Sequence, residues 1–574
     1  MNPTAATDTL SVSINGRAIE VASGTTVLEA ARQMGLSIPT LCAHPALPTI
    51  GACRLCLVQI DGEEQLQSAC SYPLTESVTI STHSPRVLAS RRMTIELMLA
   101  RSGHNTEPYT GQETFQQLVY ELGIRQQRFQ PTSEPAALDT TSPALQFNPN
   151  ACIQCGLCVS VCNDMQEVHA INFGGRGIHQ TVQAGFQQHL VDTECNACGQ
   201  CTAVCPTGAF VEQDHTSDVI SVLADDSKFV IAAVLPAVGA SIGPEFGMPS
   251  GSDLSGHLVN GLKKTGFDMV FNAGFGHDMA AMETAFELRR RIASGENLPL
   301  IISSCPSLVK QVEHLHPDLI PNLSVNRSPS QMFGRILKTY YAEQLERSPA
   351  DIVVVQITPC LSGKFERTRH ELDGVDVSIS TREAARLLRT ASGYDLSRLE
   401  AIAFDTPFNE VTGAGILSDI SGGAAEAILR TVGELMTGAD LDEASYEGIR
   451  GMDAVREADV TVGDNTLRVA VAHDLGHGNS VLERVKDGTS SYHLVEIMAC
   501  PGGCAGGGGQ PVSSDPDAVR HVADTLIQID RDTTSRKPRA NMQLNHIYAE
   551  FLKAPFGEKS QDLLQTVYTK RGRY

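Results

Sequence analysis

Two segments of this chain carry the same run of cysteines, and this repeat constrains the fold more than any other feature of the sequence. Each run has the form Cys-x2-Cys-x2-Cys-x3-Cys, a spacing typical of paired [4Fe-4S] clusters in which the fourth cysteine of each run binds the other cluster. The runs consist of Cys152, Cys155, Cys158 and Cys162, and of Cys195, Cys198, Cys201 and Cys205. No purely structural role requires eight thiols in this repeat. We therefore predict two [4Fe-4S] clusters close enough together to relay electrons.

A third set of cysteines precedes the repeat, in a β-rich segment. Its members, Cys42, Cys53, Cys56 and Cys70, have the spacing Cys-x10-Cys-x2-Cys-x13-Cys. The alternating runs LSVSI and RAIEV flank an Asn-Gly turn, which is typical of a β-hairpin. Four thiols in a β-rich domain predict a [2Fe-2S] cluster. The alternative is a structural zinc site, which usually takes two separated Cys-x2-Cys pairs, whereas this set contains one.

The remaining cysteines, Cys305, Cys360, Cys500 and Cys504, are far apart in the sequence. Three of them follow short apolar strands in a region where strands alternate with helices, the pattern of α/β layers with parallel sheets. Ligands are expected in loops at the carboxyl ends of such strands. Free cysteines are commonly just buried apolar residues. The four sets together account for all 16 cysteines of the chain, so no cysteine is left over, and this argues against that alternative.

Length and charge narrow the class of protein. A chain of 574 residues is too long for a single hydrophobic core, and its length predicts about three to five domains. The net charge of −22 argues against non-specific nucleic-acid binding, which needs basic surface. No apolar run is long enough to cross a bilayer, and the N-terminus lacks the features of a secretory signal. We expect a cytoplasmic protein with no nucleic-acid partner and no membrane insertion.

Three of the cysteine-bearing segments carry a resemblance to a known family. SSCPS, TPCLSGKFE and VEIMACPGGCAGGGGQP resemble the signature loops of [FeFe]-hydrogenases, whose patterns are T-S-C-C-P-x-W, M-P-C-x-x-K-x-x-E and E-x-M-A-C-x-G-G-C-x-x-G-G-G-Q-P. The segment with Cys42, Cys53, Cys56 and Cys70 resembles a plant-type ferredoxin domain. The repeat resembles a bacterial two-cluster ferredoxin domain, and the C-terminal segment resembles a hydrogenase small subunit. The resemblance covers about residues 10–574.

The resemblance implies a multidomain α+β and α/β fold. It comprises a β-grasp [2Fe-2S] domain, a two-[4Fe-4S] ferredoxin-like domain and a large α/β hydrogenase domain of two parallel-sheet lobes around the catalytic cluster. The expected boundaries are 9–85 for the plant-type [2Fe-2S] domain, 86–145 for a helical connector, 146–215 for the two-[4Fe-4S] domain, 226–520 for the catalytic domain and 540–574 for a small-subunit-like helical segment.

The resemblance also implies an activity, the reversible conversion of dihydrogen to two protons and two electrons. In the family, the four dispersed cysteines hold a [4Fe-4S] cluster, and the last, here Cys504, bridges it to a diiron unit bearing CO, cyanide and an azadithiolate. This assembly is the H-cluster. The expected cofactors are one [2Fe-2S] cluster, two [4Fe-4S] clusters and the H-cluster. The expected partners are dihydrogen, protons, a ferredoxin or a flavin/NADH electron-transfer subunit, and diiron maturation factors.

The sequence departs from the family pattern around the diiron unit. Thr358 stands for the methionine of the second loop, and Gly363 for the lysine that hydrogen-bonds a cyanide. Pro236 and Ala237 stand where the family has a Pro-Ser pair, whereas the methionine of the third loop is kept as Met498. We expect these five positions to contact the cofactor. Because polar contacts are lost, we expect a looser diiron unit with a shifted potential.

The proton route implied by the resemblance is kept in part. Ser304 replaces the family's relay cysteine, directly before the first ligand. The hydroxyl of serine is far less acidic than a thiol. Glu287, Arg291, Ser324 and Glu366 fall where the outer part of the family's route runs. The alternative for Glu287 and Arg291 is an i,i+4 ion pair on a helix surface.

An additional cluster of many family members is predicted to be absent. It is held by one histidine and three cysteines after the first domain. Here His104 is in place, but Pro108, Gly111 and Gln117 stand for the cysteines. We therefore expect the electron route from the [2Fe-2S] centre to omit this branch.

Two other functions stay open on the sequence. A dihydrogen sensor with slow turnover fits the altered proton route, although no signalling domain is evident. A cluster-bearing electron-transfer or scaffold subunit without the diiron unit fits the lost cyanide donors. Retention of Cys504, Met498 and the glycine run counts against the scaffold, because these residues are dispensable without a diiron unit.

Overall fold

The computed structural model of the chain describes residues 9–102, 114–130, 136–185, 189–390, 393, 395–441, 443–513 and 515–572. His104, Pro108 and Gly111, which were considered for the additional cluster, lie outside the described residues. Gln117 lies inside them, on a helix of the connector. In the described part of the chain, no helix is both long and apolar enough to cross a membrane.

The N-terminal domain is the predicted β-rich unit. Its elements are β1 (Thr9–Ile14), β2 (Arg17–Ala22), α1 (Val27–Gln33), β3 (Leu57–Ile60), β4 (Gln67–Ser68) and β5 (Thr79–Ser81). They form one sheet in the order β2-β1-β5-β3-β4, in which β1 and β5 are parallel. A capping box begins α1, because the Thr26 side chain accepts from the Glu29 N–H and the Glu29 carboxylate accepts from the Thr26 N–H.

Two helices connect this sheet to the cysteine repeat. The helices are α2 (Pro85–Ser102) and α3 (Thr114–Glu121). The repeat then forms β6 (Leu145–Phe147), α4 (Leu157–Ser160), β7 (Ile171–Gly174), β8 (Thr181–Ala184), α5 (Gln200–Val204) and β9 (Phe210–Glu212). The strands make two antiparallel pairs, β6 with β9 and β7 with β8. The first and last strands of the repeat are therefore neighbours, which brings its two cysteine runs together.

The large C-terminal domain contains two four-stranded sheets. The first has the order β11-β10-β13-β14 and is entirely parallel; its strands are β10 (Phe229–Val234), β11 (Met269–Asn272), β13 (Ile352–Thr358) and β14 (Val377–Ser380). The second has the order β12-β17-β16-β15; its strands are β12 (Leu300–Ile301), β15 (Val455–Val462), β16 (Asn465–His473) and β17 (Leu494–Met498). The edge strand β15 is antiparallel to β16, because a tight turn joins the two.

Helices cover both sheets of this domain. They are α6 (Thr216–Leu223), α7 (Pro236–Ser241), α8 (Ser255–Thr265), α9 (Gly274–Ser294), α10 (Pro306–Leu315), α11 (Pro329–Ile336), α12 (Ala342–Gln344), α13 (Ser362–Glu366), α14 (Thr381–Thr390), α15 (Gly413–Leu417), α16 (Gly423–Thr437), α17 (Leu475–Lys486) and α18 (Ala518–Asp532). The strands β12, β13 and β17 end shortly before Cys305, Cys360 and Cys500. The predicted arrangement of ligands after the carboxyl ends of parallel strands is therefore present.

The C-terminal segment is helical over only part of its length. It contains α19 (Met542–Ile547), a π-helical turn (Tyr548–Leu552) and α20 (Glu558–Leu564). Beyond α20 the chain is extended, with a β-bridge between Gln565 and Asn326. The expected helical segment over 540–574 therefore ends at Leu564, because the residues that follow bind to the catalytic domain through backbone hydrogen bonds.

Candidate metal centres and their proton and electron routes

The cysteine repeat brings thiols from both of its runs together. One cavity is lined by Cys152, Cys155 and Cys158 of the first run and by Cys205, the fourth cysteine of the second run. Burial raises the pKa of Cys162 to about 12, and the charge of Cys195 is the second cause of this rise. Because such an effect requires a short distance, Cys162 lies near the second run. Gly156 and Gly199 each precede the short helix of their run with a positive φ, which suits glycine. This grouping is the one that the spacing predicts.

Of the set Cys42, Cys53, Cys56 and Cys70, the first three lie in the loop between α1 and β3, and Cys70 follows β4. All four thiols are buried, and the Cys53 N–H donates to Cys42 Sγ over 3.3 Å. A backbone N–H aimed at a thiol sulfur is suited to a thiolate ligand. Gly51 has a positive φ of 67° just before Cys53, which lets the loop turn sharply around the thiols. The set therefore offers four buried thiols, as a [2Fe-2S] cluster requires.

The three cysteine regions touch one another in a fixed order. A Cβ added at Gly156 would lie 3.3 Å from Ile50 Cδ1 of the first domain, and the charge of Cys53 adds to the burial that raises the pKa of Cys155. At the other end of the repeat, a Cβ added at Gly199 would lie 2.7 Å from Leu361 Cδ1, next to Cys360. The first domain, the repeat and the catalytic domain are therefore in contact in series.

Polar contacts fasten the repeat to the glycine-rich loop of the catalytic domain. Gln200 Nε2 donates to the Gly506 carbonyl over 3.0 Å, and Thr202 Oγ1 donates to the Gly508 carbonyl over 2.8 Å. Arg382 Nη2 donates to the same Gly508 carbonyl over 2.9 Å and to Glu212 over 2.6 Å. These bonds fix the relay against the loop that carries Cys500 and Cys504.

The four dispersed cysteines converge on one cavity. Cys305, Cys360, Cys500 and Cys504 all line it, and its empty volume, open solvent included, is about 1010 Å³. They come from the loops after β12, β13 and β17. Residues separated by nearly 200 positions in the sequence thus face one space, which excludes the alternative that these thiols are isolated core residues.

The donor set fits a metal cluster. Burial raises the pKa of each of the four thiols, that of Cys360 to about 11, because a buried thiolate lacks solvation. A bound cation supplies the missing stabilisation and displaces the thiol protons. No disulfide competes for these sulfurs, since all are free. Four convergent thiols in a cavity far larger than one ion suit a polynuclear iron–sulfur group better than a single metal ion.

Most of the predicted cofactor contacts face the cavity. Thr358, Gly363 and Met498 line it, as does Ser304. Pro236 and Ala237 are not among the described lining residues, and their contact with the cofactor stays a prediction. Both residues lie in the first turn of α7, directly after the cavity-lining Leu235, and the Ala237 N–H donates to Asp419 over 2.8 Å.

The predicted proton-route residues form two groups. In the first, Glu287 accepts from Arg291 Nη2 over 2.6 Å and from Ser324 Oγ over 2.6 Å. Both members of the Glu287–Arg291 pair are buried, so it is not the surface ion pair considered as an alternative. Asn326, which lines the cavity, donates to Glu287 over 3.4 Å and to Thr284 over 3.2 Å. This group therefore connects with the cavity wall.

The second group contains Glu366, which itself lines the cavity. Ser328 Oγ donates to Glu366 Oε2 over 2.9 Å. Burial raises the pKa of Glu366 to about 7, against the opposing effects of the Ser328 hydroxyl and the Arg369 guanidinium. A carboxyl with this pKa exchanges protons near neutral pH.

Sequence reasoning missed a polar pair beside Cys504. Asp419 is fully buried, and burial raises its pKa although His277, the Ala237 N–H and Cys504 oppose the shift. His277 Nε2 lies 3.7 Å from Asp419 Oδ1, while His277 Nδ1 bonds to the Gly415 carbonyl over 3.0 Å. The two residues come from α9 and from the turn after α15. No local sequence signal connects them.

Comparison with known proteins agrees with this geometry. Family models match residues 7–85 (2Fe-2S iron-sulfur cluster binding domain), 151–209 (4Fe-4S dicluster domain), 228–508 (iron only hydrogenase large subunit, C-terminal domain) and 517–571 (iron hydrogenase small subunit). The NADP-reducing hydrogenase subunit HndD of Solidesulfovibrio fructosivorans is 37% identical over 98% of this chain and 99% of its own length. The chain belongs to the [FeFe]-hydrogenase family.

Other relatives of this hydrogenase-family chain include hydrogenases and an assembly factor for iron–sulfur clusters. Iron hydrogenase 1 of Clostridium pasteurianum is 32% identical over 97% of the chain and 99% of its own length. An apo variant of [FeFe]-hydrogenase HydA1 from Chlamydomonas reinhardtii has a TM-score of 0.57 and 33% identity, covering 63% of this chain and all of that one. A cytosolic Fe-S cluster assembly factor of Danio rerio, narfl, is 29% identical over 60% of this chain. The chain is thus an iron–sulfur oxidoreductase of the hydrogenase type.

Proposed function

We propose that this protein is an [FeFe]-hydrogenase that interconverts dihydrogen with two protons and two electrons at an H-cluster. The [4Fe-4S] part of the H-cluster would be held by Cys305, Cys360, Cys500 and Cys504, and Cys504 would also join it to the diiron unit. When bound, the diiron unit supplies the site at which dihydrogen is cleaved or formed. The observation that carries the proposal is the convergence of these four thiols on one large cavity.

The chain's own residues would move the protons. Glu287, held by Arg291 and Ser324, and Glu366, held by Ser328, are two carboxyl groups near the cavity that can accept and pass protons. Ser304 lines the cavity and can pass a proton only through its hydroxyl hydrogen bonds. The step nearest the diiron unit would therefore be the weakest in the route.

The relay would carry the electrons in series. The order of contacts runs from the [2Fe-2S] domain through Ile50 and Gly156 to the first [4Fe-4S] site, and from the second site through Gly199 and Leu361 to the H-cluster. We propose one [2Fe-2S] and two [4Fe-4S] relay clusters. An external ferredoxin or flavin/NADH subunit would exchange electrons at the [2Fe-2S] end. Because HndD is described as a subunit of an NADP-reducing hydrogenase, a nicotinamide-linked partner subunit is the first to test.

A slow dihydrogen sensor is the second candidate, and Ser304 is the observation that favours it. A serine at this position removes an acidic group from the cavity wall. The same cofactor could then bind dihydrogen and change the state of the relay while turning over slowly. The scaffold alternative requires that no diiron unit is loaded.

One experiment separates these functions. The chain is produced with diiron maturation factors, its infrared spectrum is recorded in the CO and cyanide region, and dihydrogen turnover is measured with an artificial electron carrier. CO and cyanide bands with fast turnover are the expected result. Bands with slow turnover indicate the sensor. A fully matured protein without bands contradicts the proposed function and indicates the scaffold.

A further inference from the structure

We propose that Gln356 is a positioning residue of the catalytic cavity, donating a side-chain amide hydrogen bond to a cyanide ligand of the diiron unit. This inference rests on the proposed function, because it requires the diiron unit. It concerns the side of the cavity at which Gly363 leaves no side chain. Sequence patterns pointed to Gly363 as a lost donor and gave no role to Gln356.

Gln356 reaches the cavity because of its place on β13. Side chains two residues apart on a strand point to the same face. Thr358, two residues later, faces the cavity, and Gln356 lines it as well. Gln356 is only 5% exposed, so its amide is shielded from bulk solvent and depends on partners within the fold.

Gln356 occupies the space that a side chain at position 363 would use. A Cβ added at Gly363 would lie 3.1 Å from Gln356 Oε1 and 3.3 Å from Ser378 Oγ. Contacts of this length are tighter than ordinary van der Waals contact, so a larger residue at 363 would displace the Gln356 amide. The two positions therefore compete for one region of the cavity wall, and in this chain the side chain comes from β13.

The hydrogen bonds of Gln356 leave one donor for a ligand. Nε2 donates to Ser330 Oγ over 2.6 Å, and Oε1 accepts from Ser378 Oγ over 3.3 Å. A primary amide carries two N–H donors. Among the described residues, no second protein acceptor is bonded to Nε2. A buried, unpaired donor costs free energy, and a nitrogen lone pair of a bound cyanide would satisfy it.

Gln356 is neutral at every pH, which separates it from a lysine donor. A neutral amide donates a weaker hydrogen bond than an ammonium group. It would hold the cyanide without adding a positive charge to the cavity. The chain would thus retain a fixed orientation of the diiron unit while lowering its reduction potential relative to a site with a charged donor.

The test compares infrared spectra of matured variants. In Gln356→Met the side chain keeps its length but loses the amide. Because a hydrogen bond at nitrogen raises the cyanide stretching frequency, we expect one cyanide band to move to lower wavenumber and the other to stay. We also expect the diiron unit to be lost about tenfold faster on dilution, the lower end of the effect of removing such an outer partner.

The matched control is Gln166→Met, the same substitution at another buried glutamine. Gln166 accepts from the Leu475 N–H over 3.2 Å and is not among the described residues that line the cavity. Its cyanide bands should coincide with those of the unaltered protein. If Gln356→Met moves no cyanide band, or if both variants move the bands equally, the inference is overturned.

A second variant keeps the inference testable if Gln356→Met fails to mature. Gln356→Ala combined with Gly363→Lys removes the competing side chain and supplies a different donor from position 363. We expect this pair to mature and to show a cyanide band shifted relative to the unaltered protein, whereas Gly363→Lys alone should mature poorly. Equal maturation of both would contradict the competition. Absence of all bands in the unaltered protein would instead contradict the proposed function.

Discussion

The relay domains and the catalytic cavity both keep the thiols that their clusters need, but their surroundings differ. In the relay, ten of the twelve cysteines are packed in one continuous core with apolar side chains such as Leu41, Leu55 and Leu157, and the other two, Cys56 and Cys70, are packed in the apolar core of the N-terminal sheet. In the cavity, the thiols share the wall with polar residues, among them Glu366 and Gln356. The relay can therefore be described by ligand spacing alone, whereas the cavity cannot.

This difference follows from what each region must do. A relay cluster changes its charge by one electron and needs a stable apolar shell, so coordination dictates nearly every residue. A catalytic site must also bind a small molecule, move protons and hold non-protein ligands, and outer contacts tune these steps. Such contacts can be exchanged between positions, as Gly363 and Gln356 exchange one region of the wall.

The largest expected effects come from removing one thiol in each region. Cys504→Ala should abolish the CO and cyanide bands and all dihydrogen turnover, because no other thiol can join the diiron unit to the protein. Cys155→Ala should keep those bands but abolish electron transfer from the external partner, because it removes a ligand of the relay. Infrared and electron paramagnetic resonance spectra of the two variants give the measurement.

Cys504→Ala should affect the catalytic cavity and not the relay, and Cys155→Ala should affect the relay and not the diiron unit. The relay signals of Cys504→Ala should equal those of the unaltered protein, and they serve as its folding control. A Cys504→Ala protein that retains full activity would refute the assignment of the catalytic cavity.

The next effect concerns the proton route. Glu287→Gln preserves the size of the side chain and one acceptor oxygen, which can keep the bond from Arg291, but its amide cannot carry a proton. We expect dihydrogen turnover to fall about 10²-fold, the lower end of what positioned acid–base groups contribute, with unchanged infrared bands. Initial rates at several pH values give the measurement.

A neighbouring glutamate provides the matched control. Glu283 lies one turn earlier on α9, is fully buried, and accepts from Tyr548 Oη over 2.6 Å and from the Phe556 N–H over 2.8 Å. Burial raises its pKa, and it does not line the cavity. Glu283→Gln should therefore leave turnover within a factor of two or so, since it acts on the C-terminal segment. An equal loss in both variants would show that Glu287 acts through the fold.

Features set by local chemistry could be predicted from the sequence. The capping box of α1 depends on residues three positions apart, and the hairpin of β1 and β2 on its Asn-Gly turn. The strands before Cys360 and Cys500 were evident from their apolar runs. Both cluster-binding runs of the relay were evident from spacing alone, because coordination acts over short loops.

Features that depend on distant segments could not be predicted. Asp419 and His277 meet through packing of separate helices, so neither residue is notable in its own sequence context. The burial of the Glu287–Arg291 pair likewise depends on backbone carbonyls at Asn297, Asn322 and Leu323, which a helical pattern does not reveal.

A smaller effect is expected at the cavity wall. Ser304→Cys introduces a thiol, which is far more acidic than a hydroxyl, next to the first ligand. We expect turnover to rise about tenfold if transfer from the cavity limits the rate, a modest share of what acid–base groups supply. The measurement is turnover at matched diiron content. An unchanged or lower rate would count against Ser304 as the weak step, and Ser307→Cys, two residues after the ligand, is the positional control.

The smallest effect is on stability and concerns Glu366. Burial raises its pKa from 4.5 to about 7. Between these two pH values the carboxyl is protonated in the folded protein but ionised in the unfolded chain. Stability relative to Glu366→Gln, which mimics the neutral form, should therefore be unchanged below pH 4.5, fall as the pH rises to 7, and stay constant above. The full loss is about 3 kcal/mol at 1.36 kcal/mol per pKa unit. Thermal midpoints of both proteins between pH 5 and 8 give the measurement, and curves that stay parallel across this range would show that Glu366 titrates as it does in water.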